Sequence, residues 1–258
     1  MISRRSALYW LGVSAGAAGA LNTFPAFAKN VRPENGTRVI ALESFSVIDA
    51  GQVEHLRSYI HEALLPATDH VRNSSTMCLE AVVAPHTPQT LLLTVYSRFD
   101  EMLEERARIA ADPHVRRAWA GIESAQVLDD VRSQVLVVNA ESVRFPAQSA
   151  SLKSGLFEVR TWHAAAWRGG PAPEVSSVLS RIGAHPIVAG ATVAGEHLPR
   201  FTYVLPFESL AARQQVWDRL DGDGQWMAMQ QESVARFGSG ARTTAKAIYR
   251  LAPWSPLA

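Results

Sequence analysis

One cysteine, Cys78, stands in a chain of 258 residues, so no internal disulfide can form and stability has to come from packing. It sits in the apolar run MCLEAVV (77–83), where a buried structural thiol is expected, because no helix N-terminus or basic neighbour is there to stabilise a thiolate. Charge of one sign is equally scarce. The formal net charge is +1, and residues 1–28 supply Arg4 and Arg5 and no acids, which leaves 23 basic against 24 acidic side chains. That balance offers no field for nucleic acid or anionic lipid. Metal-ligand spacing is missing as well: none of the eight histidines has a neighbour at i+4, and HLRSYIH separates His55 from His61 by six, so no metal site is expected. Gly222-Asp223-Gly224 lacks the lysine and the strand-to-helix setting of a phosphate loop and reads as a turn joining helices. No Gly-x-Ser-x-Gly elbow occurs. With 47% hydrophobic and 19% charged residues, there is enough apolar surface for one large core or two small ones.

The opening stretch, MISRRSALYWLGVSAGAAGALNTFPAFAKN, resembles a twin-arginine signal peptide over residues 1–28, cleaved between Ala28 and Lys29. A membrane anchor is the competing reading. The stretch is broken by glycines, Ser14, Asn22 and Pro25, and falls short of the ~20 strongly apolar residues a spanning helix prefers. No cysteine follows the cleavage point, so a lipoprotein is excluded. The resemblance implies export of a folded bacterial protein to the periplasm or beyond, with no membrane association after cleavage.

What remains says nearly the same thing twice. RFDEMLEERARIAADPHVRRAW (98–119) returns as PFESLAARQQVWDRLDGDGQW (206–226). Around the second copy, GLFEVRTW alternates as a strand, APEVSSVLSRIG is helical, HPIVAGATVAG and RFTYVLPF form a hairpin across Gly195–Pro199, and TTAKAIYRLAP is a last strand. The first half parses alike: strand RVIALESF, helix AGQVEHLRSYIHEALLPATDHV, strands TMCLEAVV and TLLLTVYS, the helix after Phe99, strand SQVLVVNAESV. Each half is thus βαββαβ, the ferredoxin-like unit. The fold expected is α+β, with units over 37–146 and 153–254 joined by the linker RFPAQSASLKSG. Helices cover only one face of such a sheet, so the two units should pack sheet to sheet as a barrel within one chain, its interior lined by the uncovered faces.

FEVRTW, RIGAHPIVAG and FTYVLPFESLAARQQVWDRLDGDGQW together resemble the NIPSNAP family across residues 153–254. The first half matches more loosely and has Glu43 where the pattern carries Arg160. The resemblance implies a dimeric α+β barrel, a superfamily whose members include cofactor-independent quinone-forming monooxygenases, small isomerases and haem-binding decolorising enzymes. It implies architecture more than chemistry.

In GLFEVRTW, Phe157 and Val159 face one way and Glu158, Arg160 and Trp162 the other. If Phe157 and Val159 pack under the helices, Glu158, Arg160 and Trp162 line the barrel together with Glu43 as candidate ligand-binding residues, and Arg160 beside Trp162 suits an aromatic or anionic ligand. The alternative is a charge pair between Arg160 and Glu43. Arg213 shares a helical stripe with Leu210, Trp217 and Leu220, as Arg106 does with Met102 and Ile109, and both arginines are expected to be structural, pinning helices to carboxylates or carbonyls. Trp119 and Trp226 are expected as packing anchors. His163, at a strand end, is the candidate general base. Three functions follow: binding of a small aromatic or anionic molecule, a cofactor-independent monooxygenase or isomerase acting on aromatic or quinone compounds, or an interaction scaffold. A scaffold would fill its barrel with Leu, Val and Phe, whereas a binder or enzyme needs an open chamber. No cofactor is called for, and either a monomer or a homodimer is compatible with the duplication.

Overall fold

The computed structural model describes residues 36–68, 75–140, 143, 155–163, 173–195, 198, 200–240 and 242–257. The leader expected over 1–28, with its cleavage point at Ala28 and Lys29, lies outside them, as does the linker over 144–154.

Eight strands form a closed barrel: β1 (Thr37–Val47), β2 (Ser75–Val83), β3 (Gln89–Tyr96), β4 (Leu128–Asn139), β5 (Leu156–His163), β6 (Val188–Ala194), β7 (Arg200–Phe207) and β8 (Arg242–Leu251). Around the ring they run β4-β1-β3-β2 and then β8-β5-β7-β6, the same order in each half. All pairings are antiparallel. Two seams join the halves. At one, β2 pairs with β8 (Leu79 opposite Leu251), and at the other, β4 pairs with β6 (Val138 opposite Gly190). Closure leaves no free sheet edge among the described strands, which removes the template for edge pairing. The expected intrachain α+β barrel is therefore the fold.

The interior is apolar: Ile40, Leu42, Met77, Leu93, Phe157 and Val204 belong to one buried cluster. A hydrogen-bonded group of Tyr249, Gln89 and Ser46 adds a polar element to this face, with Tyr249 Oη donating to Gln89 Oε1 at 2.6 Å. The expected orientation of β5 is reversed. Phe157 and Val159 pack inside the barrel, while Glu158, Arg160 and Trp162 face the helices. The physical reason is charge: Glu158 needs cationic donors, and the helical layer supplies Arg213 and an indole N–H.

Among the described residues, six helices lie outside the barrel: α1 (50–68), α2 (Phe99–Ala111), α3 (Pro113–Ser124), α4 (Pro173–Arg181), α5 (Leu210–Asp221) and α6 (Gly224–Phe237). The single helix expected after β3 is broken in two because Asp112 caps a new start, accepting from the backbone N–H groups of His114 (2.7 Å) and Val115 (3.1 Å), with Pro113 at the first helical position. Asp223 does the same for α6. Helix α1 widens to a π-turn over Tyr59–Leu64 just before Pro66, which has no N–H to offer the Glu62 carbonyl. His114 Nε2 lies 3.2 Å from that oxygen, and since a carbonyl only accepts, Nε2 carries the proton. Buried Leu56, Tyr59, Ile60 and Leu64 then pack on Phe45, Leu92 and Trp119.

At the β4–β6 seam, a Cβ on Gly190 would press into Val138 Cγ1 and sit 3.0 Å from the Val137 carbonyl oxygen. Gly190→Ala is expected to destabilise by about 1–3 kcal/mol in urea denaturation. Gly121→Ala, in α3 with nothing within 4 Å of the new Cβ, should stabilise by up to ~1 kcal/mol.

Candidate functional site

Between the barrel and its helices, each half buries a glutamate from its first strand against an arginine from the helix after its third. In the second half Glu158 is fully buried and accepts from Arg213 Nε (2.7 Å), Arg160 Nε (2.8 Å) and Trp217 Nε1 (2.8 Å). The Arg160 guanidinium lies 3.3 Å over the centre of the Trp217 ring, so cation, indole and carboxylate fill this space completely. Arg160 is thus held by its neighbour on the same strand, and the pairing with Glu43 is not formed.

In the first half Glu43 accepts from Arg106 Nη2 at 2.7 Å. The partners make Glu43 the counterpart of Glu158, and put Phe45 where Arg160 stands two residues further along the strand. One turn beyond each arginine, Ala110 stands where the second half has Trp217. Loss of the indole leaves a cleft with about 30 Å³ of free space, room for roughly two waters. Its walls are Leu64, Leu65 and Thr68 of α1, Thr76, Leu92, Thr94 and Tyr96 of the sheet with Glu43, and Glu105, Arg106, Ile109 and Ala110 of α2. Thr76 and Thr94 share a hydrogen bond of 3.1 Å. The Arg106 and Glu43 side chains are 20% and 13% exposed, so water reaches the cleft along this pair.

Glu105 is the residue that the sequence reading overlooked. It is 2% exposed. Its Oε1 accepts from the Tyr96 hydroxyl at 3.2 Å, while its Oε2 and the Nε of Arg106 have no hydrogen-bond partner among the described residues. Burial, chiefly, pushes the Glu105 carboxyl up to about 7. The charges of Glu101 and Glu43 act in the same direction, and the Tyr96 hydrogen bond and Arg108 oppose it. Burial likewise raises the Tyr96 phenol. The signal was present in sequence: Met102, Glu105, Arg106 and Ile109 form one stripe, so of the pair Glu104-Glu105 only the second faces inward.

The remaining sequence candidates lie elsewhere. Trp162 packs 5.2 Å from both Tyr203 and Trp226, and Trp119 lies 5.4 Å from Tyr59. His163 closes β5 opposite Arg242 and does not line the cleft. Cys78 is buried with its thiol pushed up to about 12 by burial, which keeps it unreactive. No group of three metal-ligating side chains occurs among the described residues, and no described helix is long and apolar enough to cross a membrane.

The NIPSNAP family model matches residues 156–256. No curated protein matches the chain significantly in sequence. Among solved structures, a candidate chlorite dismutase superposes with a TM-score of 0.52 at 10% identity, over 86% of this chain and 97% of its own. A heme-binding protein from Thermus thermophilus gives 0.45 at 12% identity, over 85% and 92%. A NIPSNAP family protein from Agrobacterium tumefaciens gives 0.33 at 11% identity, over 38% and 90%. Only the first exceeds 0.5, and at its low identity it establishes a shared fold and no shared chemistry.

The pH dependence of stability follows from Glu105. Its folded value of about 7 stands above the ordinary 4.5, so the native state holds the extra proton between these values. The resulting stability is complete below the lower value and is lost as pH rises through the upper one. Glu105→Gln should abolish that loss. Its melting temperature relative to the wild type should rise between about pH 5 and 8, reaching a gain on the order of 2 kcal/mol after allowance for water in the cleft.

Proposed function

We propose that this NIPSNAP-domain protein binds a small, uncharged, semi-polar molecule in the cleft between the barrel and helix α2 of its first half. The observation that carries the reading is a cleft lined by Glu105 and Arg106 whose counterpart is plugged by Trp217, with a buried carboxyl oxygen and a buried guanidinium N–H of those two residues lacking partners among the described residues. Buried polar groups are seldom left unpaired, and those that are mark places where a ligand or water completes the set. The charges favour a neutral guest over an anionic one. Glu43 already neutralises Arg106, and Glu105 adds either nothing or one negative charge. Leu65, Leu92 and Ile109 supply an apolar wall, and a carbonyl or hydroxyl oxygen would take the free N–H of Arg106.

Haem does not fit. About 30 Å³ is far below the several hundred Å³ of a cofactor site, and no histidine or cysteine lines the cleft among the described residues. The phenol of Tyr96 is committed to Glu105 and raised by burial, which suits it poorly as an axial ligand. A scaffold working through sheet edges is disfavoured by barrel closure, although the apolar interior is what that reading anticipated. Because the halves supply both sheets, a monomer suffices for this site. We further propose export through the twin-arginine leader, on the strength of Arg4, Arg5 and the residues before Lys29.

Ala110→Trp copies the second half's plug into the first. Thermal-shift titration with methanol, formamide and formate, which match a space for roughly two waters, should raise the melting temperature of the wild type with one or both of the neutral compounds and not with formate. The shift should vanish in Ala110→Trp, which is itself expected to lose about 1–3 kcal/mol of stability because the indole exceeds the free space. A shift that survives the plug, or no shift with any neutral compound, would refute the reading.

A further inference from the structure

We propose that helix α2 is a proton-operated lever, seated on the barrel while Glu105 is protonated and rolled outward on hinges at Arg98 and Asp112 when Glu105 ionises. The lever goes beyond the binding reading above and needs no guest.

Three features of the geometry carry it. The first is how each carboxyl between sheet and helices is provided for. Glu158 meets three donors and Glu43 meets a guanidinium, so each has a cation beside it. Glu105, 2% exposed, receives one phenol hydrogen on Oε1 and nothing among the described residues on Oε2. Such a place accommodates the neutral acid and penalises the anion. The second is what faces Glu105 from each side. Tyr96 stands on β3, Glu43 on β1, and Glu101, Arg106 and Arg108 on α2, while α1 presents Leu64, Leu65 and Thr68. The guanidinium of Arg106 is taken by Glu43 and Arg108 is exposed, so ionisation sets Glu105 against the charges of Glu43 and Glu101 with no cation bonded to it. The third is the mounting of the helix. Its thirteen residues bury only Met102, Glu105 and Ile109. It lies between two residues of extended backbone, Arg98 (φ −149°, ψ 164°) and Asp112 (φ −65°, ψ 122°), which break its continuity with the flanking elements and let it turn as a rod.

One of the three side chains that seat the helix is thus the group that changes charge. Burial raises its carboxyl to about 7, above the ordinary 4.5 that it regains when solvated, so the seated form is favoured at low pH and loses ground as pH rises through the upper value. Rolling brings water to the anion, and the cleft beside Ala110 gives the movement room to begin. Arg106, on its long flexible stem, keeps the helix tethered to Glu43 throughout. The second half has no such lever, because Ala212 stands at the position of Glu105 and Trp217 donates to Glu158.

The test is amide hydrogen exchange of the full chain at about pH 6 and about pH 8.5, expressed as protection relative to an unstructured chain so that the intrinsic pH dependence cancels, with α5 as internal reference. Protection over Phe99–Ala111 should fall about tenfold relative to Leu210–Asp221 between the two conditions, the change that values of about 7 and 4.5 impose on an equilibrium between seated and rolled helix. Glu105→Gln should hold the protection of α2 constant relative to α5, with its melting temperature confirming the fold. In the wild type, a ¹³C NMR titration of the Glu105 carboxyl should have its midpoint near 7, together with the change in exchange. Protection of α2 that follows α5 throughout, a fall that persists in Glu105→Gln, or a Glu105 carboxyl that titrates in the ordinary carboxylate range would each overturn the lever, while binding in the cleft is scored separately by the thermal shifts.

Discussion

In both halves of the barrel a glutamate on the first strand points away from the apolar interior and grips an arginine from the helix that follows the third strand, Glu43 with Arg106 and Glu158 with Arg213, each at 2.7 Å. A carboxylate sealed between sheet and helix is tolerable only if a cation meets it, and breaking such a pair costs about 3–5 kcal/mol. The pair therefore sets how the helix is rotated over the sheet. With the arginine fixed, the residue one turn later must face the same enclosed space. That residue is Ala110 in one half and Trp217 in the other, and the difference in their volumes separates a sealed core from a cleft.

The two halves have consequently diverged around one scaffold. In the second, Glu158 accepts three donors and stacking of Arg160 on Trp217 leaves no room. In the first, Phe45 takes the place of Arg160 and turns into the α1 cluster with Tyr59 and Leu56, so the strand contributes no second cation. Glu105 then enters beside Arg106 where Ala212 stands in the other copy. One site meets its carboxylate with three donors, whereas the other leaves a donor and an acceptor unmet. Polar atoms so deeply buried normally find partners, so the imbalance marks where the duplicated unit departs from simple packing.

Much of the architecture was legible because it depends on repetition and on alternation. The βαββαβ order could be read twice, and the need to shelter an uncovered sheet face led directly to closure. Facing was harder. Strand alternation separates Phe157 and Val159 from Glu158 and Arg160, but it does not say which row looks inward when both are buried. On a half-exposed sheet the polar row marks solvent. Here it marks the helical layer, because the helices bring Arg106 and Arg213 to the two glutamates. Pairing Glu43 with Arg160 by motif failed for a related reason: the equivalent of Glu43 is defined by its helix arginine, and two residues of strand separate Glu158 from Arg160. The helix breaks at Asp112-Pro113 and Gly222-Asp223 were readable from capping chemistry. Glu105 was readable too, as a second polar residue on an apolar stripe, but the cleft was not, since an empty space has no residue to announce it.

A barrel of eight strands is just wide enough for side chains to fill it, and here the buried side chains facing its centre are mostly Leu, Val, Ile and Met. Room for a guest has to come from the layer between strands and helices, where separation is set by side-chain size and can be changed at a single helical position. Duplication provides two such layers that share one barrel. Filling one with an indole strengthens the common framework, and that stability lets the other retain one carboxyl oxygen and one guanidinium N–H without partners at a cost the whole molecule absorbs. On this view the filled half is not a lost site but the support that allows Glu105 and Arg106 to remain unsatisfied until something enters.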